Sequence, residues 1–403
     1  MVEKGLTNFF EKFLKQESLF TNKKVLQSKY NPENIPHRDQ QIKQIATILA
    51  PTLKLERPSN LFIYGKTGTG KTLSVAHTTN QILNVAASNN IKVKVVYLNC
   101  KLKRIADTEY RLIAQLAREF KKEIPATGLP TDEVYKIFYE ALDQEKSIVL
   151  LILDEIDQLV KKAGDEILYN LTRINESLKN SQIGLIGISN NLLFTEHIDP
   201  RVKSSLGEEE IVFPPYNALQ IQDILKHRAE LAFKEKVLAV GVIEKCAAYA
   251  AREHGDARRA LDLLRVAGEL AERKGLNKLS IEQIDEAEDK IEKDRIVDIV
   301  QSQPKQFRAA LYAMLSLSAM SKTKKIATGD IYDLYKTVCS KAGLRPLTQR
   351  RISDIIAELD MLGIINAKVI SKGRYGRTRE ISIAISSTTE PTIKNILSKE
   401  LNA

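Results

Sequence analysis

The sequence predicts a parallel α/β domain built around a phosphate-binding loop. An all-helical unit and a C-terminal helix–turn–helix with a basic hairpin follow it. Three observations predict this. Gly65-Lys66-Thr67-Gly68-Thr69-Gly70-Lys71-Thr72 has the spacing G-x-x-x-x-G-K-[ST] and lies between an apolar run and a helical segment. Apolar runs alternate with helical periodicity up to about residue 215, after which only helical periodicity remains. Residues 301–403 hold 17 Lys and Arg against 8 Asp and Glu, a net +9 of the chain's +10, so the first 300 residues carry only +1.

A chain of 403 residues is too long for one ordinary core. The changes of texture divide it at 1–215, 216–300 and 301–403. Apolar content of 43% and charged content of 28% suit a globular protein, and no apolar run approaches the ~20 residues needed to cross a bilayer. The N-terminus lacks the apolar stretch of a signal peptide. Cys100, Cys246 and Cys339 lie far apart and show no metal-ligand spacing, which predicts free thiols in a reducing compartment. A cytoplasmic protein with no membrane partner, associated with the nucleoid, is the expectation.

Residues 1–20 mix aromatics with lysines and read as a loosely held arm or a short helix. The turn-rich stretch 30–39 leads into a helical pattern at 40–53. The run 60–64 (NLFIY) is the first strand, and 73–85 is the helix after the loop. The β-branched run 91–100 is a second strand, followed by helical patterns at 107–122 and 131–144. The uninterrupted apolar run 147–153 (SIVLLIL) reads as a strand buried on both faces. A helix at about 165–179 and a buried strand at 182–189 complete the alternation. From 217 to about 295 the periodicity is helical throughout, with breaks at 254–256 and 274–277.

The glycines of the loop let successive backbone N–H groups turn inward, and the next helix points its positive end at the same place. Residues 65–72 therefore cradle nucleotide phosphates, with Lys71 reaching the β- and γ-phosphates and the Thr72 hydroxyl available to Mg²⁺. The strand ending at Leu153 delivers Asp154 and Glu155 to the edge of the sheet where ligands bind. Asp154 is placed for Mg²⁺ and Glu155 for polarising an attacking water, although two acids ending a strand also cap helices. Asn190, at the end of the strand 182–189, either orients that water or makes a turn. Arg201, in the loop after it, is either an arginine finger or a solvated side chain. Asp256 suits an N-cap, and Arg258 or Arg259 in the first turn after it either forks onto phosphate or faces solvent.

In the last unit a helix at 331–342 and the turn 343–346 lead to Thr348, the N-cap of a second helix running to about Leu362. Ile352, Ile355, Ile356, Leu359 and Leu362 form its apolar stripe, leaving Gln349, Arg350 and Ser353 outside it. Two strands, 366–371 and 379–385, flank a tip carrying Lys372, Arg374, Tyr375, Arg377 and Arg379. This is the pattern of a winged helix. Its helix suits a major groove, and its arginines suit phosphates or a minor groove.

Taken together, residues 65–72, Leu153-Asp154-Glu155-Ile156-Asp157, Gly187-Ile188-Ser189-Asn190 and Gly255-Asp256-Ala257-Arg258-Arg259-Ala260-Leu261 carry a resemblance across nearly the whole chain. The chain resembles the archaeal replication initiators of the AAA+ ATPase class, relatives of the large eukaryotic origin-recognition subunit and its helicase-loading relative. The resemblance implies a P-loop AAA+ ATPase domain, an all-α lid and a winged-helix DNA-binding domain. It implies ATP or ADP with Mg²⁺ between the first two, Asn190 as sensor 1, Arg258 as sensor 2, and Arg201 as arginine finger. Pro36, His37 and Arg38 would border the adenine, and residues 103–125 would match an initiator-specific insertion that contacts DNA. The implied partners are double-stranded origin DNA, the replicative helicase and a second initiator subunit. Hydrolysis is implied to be slow and switch-like.

Two other readings stay open. In one, a P-loop signalling ATPase uses its winged helix to bind protein. In the other, the chain is a metabolic kinase, against which the adjacent Asp154-Glu155 pair argues, because a kinase needs no water-activating glutamate.

Overall fold

A computed structural model describes residues 17–401 apart from 29, 103–106, 126, 193, 195–197, 207, 254, 321–325, 372–376 and 387. The chain forms two compact units, Met1–Ile284 and Asp285–Ala403.

The first unit is organised by five parallel strands, β1 (Asn60–Gly65), β2 (Val93–Asn99), β3 (Ile148–Asp154), β4 (Gln182–Ser189) and β5 (Glu208–Phe213). Their order in the sheet is β2-β3-β4-β1-β5. Every residue of β3 is buried, as its unbroken apolar run requires. Its side chains alternate between two cores. Val149, Leu151 and Leu153 join one face, and Ile148, Leu150 and Ile152 the other. The first face is covered by α3 (Glu109–Glu119), α4 (Thr131–Leu142), α5 (Ile156–Ala163) and α6 (Glu166–Arg173) through Leu112, Phe138, Ile156 and Ile167. The second is covered by α1 (Asp39–Leu49) and α2 (Lys71–Ser88) through Ile45, Val75 and Ile82. The short α7 (Pro200–Leu206) precedes β5.

Three elements here are absent from the sequence reading, the first being α7: the stretch 199–205 reads as a loop, but Pro200 opens a short helix there and the Lys203 N–H donates to the Asp199 carbonyl. The acidic run at 208–210 hides β5, whose pairing is made by backbone groups in register with Asn60–Gly65. As an edge strand it pairs on one side only, so Glu209 and Glu210 remain in solvent while Ile211 and Phe213 are buried. The helix α5 starts immediately after Glu155, too close to β3 for its own periodicity to stand out. The expected helix at 165–179 is shorter, ending at Arg173 in a 3₁₀ turn over Ile174–Glu176.

After β5 come α8 (Ala218–Ala232), α9 (Val242–Arg252) and α10 (Ala257–Arg273). Asn217 and Gln220 form a reciprocal capping box at the start of α8. Asp256 caps α10 by accepting from the backbone N–H groups of Arg258 and Arg259. Residues 17–28 strap across these helices. The Thr21 N–H donates to the Ala232 carbonyl at 2.8 Å, and the Phe20 and Phe233 rings lie 4.6 Å apart. The long α11 (Ile281–Ser302) contains the boundary between the two units.

The second unit comprises α12 (Lys305–Met320), α13 (Thr328–Lys341), α14 (Gln349–Met361) and α15 (Glu390–Leu401). A three-stranded sheet, β6 (Ile326–Ala327), β7 (Ile365–Ser371) and β8 (Arg377–Ile383), completes it. The sheet order is β6-β8-β7, with antiparallel pairing. Thr348 caps α14 as expected, and Ile352, Ile355, Ile356 and Leu359 are buried. The strands start earlier than their sequence suggests because the hairpin pairing carries Arg377 and Thr378 into β8. Ile393, Leu397 and Leu401 bury one face of α15, which the sequence reading lacks. Cys100, Cys246 and Cys339 are buried thiols, none of them in a disulfide. Among the described residues no helix is long and apolar enough to cross a membrane.

Candidate nucleotide and nucleic-acid sites

Because β3, β4 and β1 are neighbours, the C-terminal ends of three strands meet at one edge. They bring Asp154 and Glu155, Asn190, and the loop 65–70 together, although 119 residues separate Lys71 from Asn190. The Lys71 ammonium donates to the carbonyls of Gly65 (2.7 Å) and Lys66 (2.8 Å) and to Asn190 Oδ1 (2.9 Å). Burial lowers its pKa to about 8, against the opposing pull of Asp154. The lysine is thus a desolvated cation held beside the loop that phosphates would occupy.

The Thr72 hydroxyl donates to Asp154 Oδ2 at 2.9 Å, and the Glu155 N–H donates to Asp154 Oδ1 at 2.9 Å. Asp154 is 7% exposed. A hydroxyl and a carboxylate in contact form a hard-oxygen pair that suits a magnesium ion completed by phosphate oxygens and water. No cluster of three or more His, Cys, Asp or Glu suited to a metal occurs among the described residues. Glu155 holds a left-handed backbone (φ 55) that turns the chain from β3 into α5. Glu155 lines the phosphate-side cavity, and its Oε2 lies 3.6 Å from Lys101 Nζ.

Two adjoining cavities occupy this edge. The smaller, about 150 Å³, is polar and lined by Thr67, Gly68, Thr69, Gly70, Lys71, Thr72, Asp154, Glu155 and Asn190 with Tyr97 and Arg258. The larger, about 350 Å³, is walled on one side by residues 30–36 and on the other by α8 and α10. One polar and one mainly apolar chamber match a triphosphate and a nucleoside. Arg258 borders both, whereas Arg259 pairs with Glu253 at 3.1 Å. The choice left open between the two arginines is made by the first turn of α10, which sends only Arg258 toward the cavities.

That turn sits directly on the loop. The Ala257 N–H donates to the Gly68 carbonyl at 3.3 Å. A Cβ on Gly68 (φ +69) would fall 1.7 Å from Asp256 Oδ1, and one on Gly255 (φ +71) 2.3 Å from the Tyr216 carbonyl oxygen. Both positions need glycine for backbone conformation and for space.

Of the three residues expected beside the adenine, Pro36 lines the larger cavity, while His37 and Arg38 do not. His37 Nε2 lies 3.2 Å from Asp223 Oδ2. Arg38 is 2% exposed and works from behind the loop. Its Nε donates to the Thr69 carbonyl at 2.9 Å, its Nη2 to the Pro214 carbonyl at 2.6 Å, and its guanidinium lies 3.9 Å from the Tyr216 ring centroid. In a planar trans peptide, a carbonyl held on one side turns the following N–H to the other, so Arg38 orients the Thr69–Gly70 peptide. Lys66 supplies only its carbonyl, to Lys71 and to the Thr69 hydroxyl.

Arg201 joins neither cavity. Its side chain is 86% exposed and paired with Asp199 at 3.1 Å. Side chains the sequence did not single out include Tyr97, whose hydroxyl donates to Asp154 Oδ2 at 2.8 Å. Another is Arg228, 8% exposed and stacked 4.5 Å from the Tyr30 ring centroid in the wall of the larger cavity. Neither belongs to a short motif, so only tertiary packing reveals them.

In the second unit, Gln349 and Arg350 are exposed in the first turn of α14, and Ser353 is half-buried, its hydroxyl donating to the Gln349 carbonyl at 3.2 Å. Arg379 Nη1 donates to the Ser353 carbonyl at 2.8 Å, tying β8 to α14. Lys372, Arg374 and Tyr375 lie outside the described residues, as does the side chain of Arg377. Residues 103–106 of the expected insertion do too, and α3 follows them from Glu109.

Three family models match in series: an AAA domain over residues 54–193, a Cdc6 AAA+ ATPase-type lid domain over 222–289, and a CDC6 C-terminal winged helix domain over 298–389. The ORC1-type DNA replication protein of Pyrococcus horikoshii is 52% identical over 385 residues, 94% of this chain and 91% of the relative. The ORC1-type DNA replication protein 1 of Methanosarcina mazei is 50% identical over 382 residues, 94% and 91% of the two chains. The structure of the Aeropyrum pernix ORC1 protein in complex with DNA superposes with a TM-score of 0.82 at 43% identity, over 96% of this chain and 98% of that one. Cdc6p from Pyrobaculum aerophilum shares the fold, with a TM-score of 0.59 at 22% identity over 96% and 99%.

Proposed function

The chain belongs to the ORC1-type DNA replication proteins, replication initiators with an AAA+ ATPase domain, and from that premise we propose that it binds origin duplex DNA and helps load the replicative helicase. It binds nucleotide and is an ATPase. ATP binding and slow hydrolysis would act as its switch. The observation that carries the reading is Arg258: a lid arginine bordering the same cavity as the phosphate loop and the Asp154–Glu155 pair. A group on the lid that reads the γ-phosphate makes lid position depend on nucleotide state.

In this reading the loop 65–72 binds the phosphates through backbone N–H groups, and phosphate oxygens replace the acceptors that Lys71 now holds. Thr72 and Asp154 would hold Mg²⁺, which supplies charge neutralisation on the phosphates. Glu155 accepts a proton from the attacking water as its oxygen bonds to the γ-phosphorus and the bond from that phosphorus to the β-phosphate oxygen breaks, so that ADP leaves with the bridging oxygen; Asn190 orients the water. Arg201, turned away from its own cavities, would serve the nucleotide of a neighbouring initiator subunit, in trans. Pro36 and the chain before it would border the adenine.

Helix α14 would enter the major groove through Gln349, Arg350 and Ser353, and the wing would meet the backbone through Lys372, Arg374, Tyr375, Arg377 and Arg379. The ORC1 relative of A. pernix was solved with DNA, which supports this. Duplex affinity measured against salt tests it. We expect log affinity to fall by about 0.9 per phosphate neutralised as log salt rises. No binding at low salt would sink the proposal in favour of a winged helix that binds protein. Stimulation of turnover by a small phosphate acceptor would favour a kinase.

Arg258→Ala should weaken ATP binding by roughly 10- to 100-fold, the value of one charge-assisted hydrogen bond, and leave the nucleotide able to bind at higher concentration. It should erase any difference between the ATP and ADP states in duplex affinity. A persisting difference would remove Arg258 from the switch.

A further inference from the structure

Tyr97 takes no part in the steps above, yet its hydroxyl touches the carboxylate on which they depend. It stands on β2, paired with Ile152, two residues before Asn99 pairs with Asp154. The residue is 47% exposed and lines both cavities. The register places its phenol oxygen beside the end of β3, where it donates to Asp154 Oδ2 at 2.8 Å. The Thr72 hydroxyl donates to the same oxygen at 2.9 Å, and the Glu155 N–H reaches Oδ1 at 2.9 Å.

A carboxylate oxygen offers about two lone-pair directions. Two donors therefore fill Oδ2, while Oδ1 keeps one direction open. Thr72, having given its proton to Oδ2, keeps its own lone pairs for a cation. With the tyrosine donor removed, Oδ2 would hang on Thr72 alone, and the broad carboxylate torsion of an aspartate would let the group turn. A water entering from the polar cavity could donate to Oδ2, but it is not anchored to β2 and would not hold the carboxylate in one orientation as the fixed phenol does.

We propose that Tyr97 is a positioning residue for the divalent cation of the nucleotide complex, acting through Asp154. Its hydroxyl holds the carboxylate in one orientation, leaving a lone pair of Oδ1 and those of Thr72 Oγ1 for the cation or its bound water. This rests on the hydrolytic reading of the site.

Tyr97→Phe removes one oxygen from a partly exposed side chain and keeps the ring that walls the larger cavity. Its melting curve should match that of the unaltered protein. Two titrations then separate metal from nucleotide: Mn²⁺ binding to the ADP complex, read by electron paramagnetic resonance, and fluorescent ADP binding in EDTA. The expected result is about a tenfold weaker Mn²⁺ affinity, the loss of one charge-assisted hydrogen bond, with ADP affinity in EDTA unchanged. Asp154→Asn is the companion variant. If it loses Mn²⁺ while Tyr97→Phe binds Mn²⁺ like the unaltered protein, the role of Tyr97 is overturned and the hydrolytic reading stands. If Asp154→Asn also keeps full Mn²⁺ affinity, the reading of the site falls with it. A matching loss of ADP affinity in EDTA for Tyr97→Phe would make the residue a nucleotide contact and overturn the proposal.

Discussion

Replacing Glu155 with glutamine is expected to lower ATP turnover by roughly 10²–10⁴-fold while nucleotide affinity stays within a few-fold. The substitution keeps the shape of the side chain and removes the charge that polarises water. Binding rests on other groups: the amides of the loop, Lys71 and the walls of the larger cavity. The backbone of Glu155 holds its left-handed turn through the N–H bond to Asp154 Oδ1, which glutamine leaves intact. Lys101, 3.6 Å from the carboxylate, would lose its partner, but its own side chain is 71% exposed and stays hydrated, so little stability is lost. Phosphate release at saturating ATP and Mg²⁺, set against a fluorescent-nucleotide titration, measures the split. Undiminished turnover would remove Glu155 from its assigned role.

Replacing Arg374 and Arg377 together with alanine is expected to weaken duplex binding at least tenfold per arginine and flatten the salt dependence. Each arginine that neutralises one phosphate contributes about 0.9 to the slope of log affinity against log salt, so the double variant should lose about 1.8. Affinity for unrelated duplexes should fall in parallel, because phosphate contacts carry no base information. Arg350, exposed on α14, is a different case, and Arg350→Ala should discriminate between sequences. A double variant with the original affinity and slope would mean the wing does not meet the backbone. Arg379 makes a poorer target, since its bond to the Ser353 carbonyl braces β8 against α14.

The loop 65–72, the buried run into Asp154 and the helix-only stretch after 217 were legible because each is local. Spacing, periodicity and burial on both faces are properties of contiguous residues. Elements masked by their neighbours were not legible. The strand β5 begins in three glutamates that an edge position tolerates, and α5 is folded into the end of β3. The C-terminal α15 buries only three residues at four-residue spacing, a faint signal in a polar segment.

By itself the sequence determined the parallel α/β class, the phosphate loop, the acids beside it and the basic character of the last unit. Each follows from residue types at short fixed separations, which constrain backbone and burial wherever the segment ends up. Tertiary structure alone decided which side chains share the site. It put Asn190 on Lys71, Arg258 rather than Arg259 at the cavities, Arg201 outside them, Arg38 behind the loop and Tyr97 on Asp154. The reason is the strand order. Contacts at the edge of a sheet depend on which strands lie side by side and in what register, and that follows from packing the whole chain.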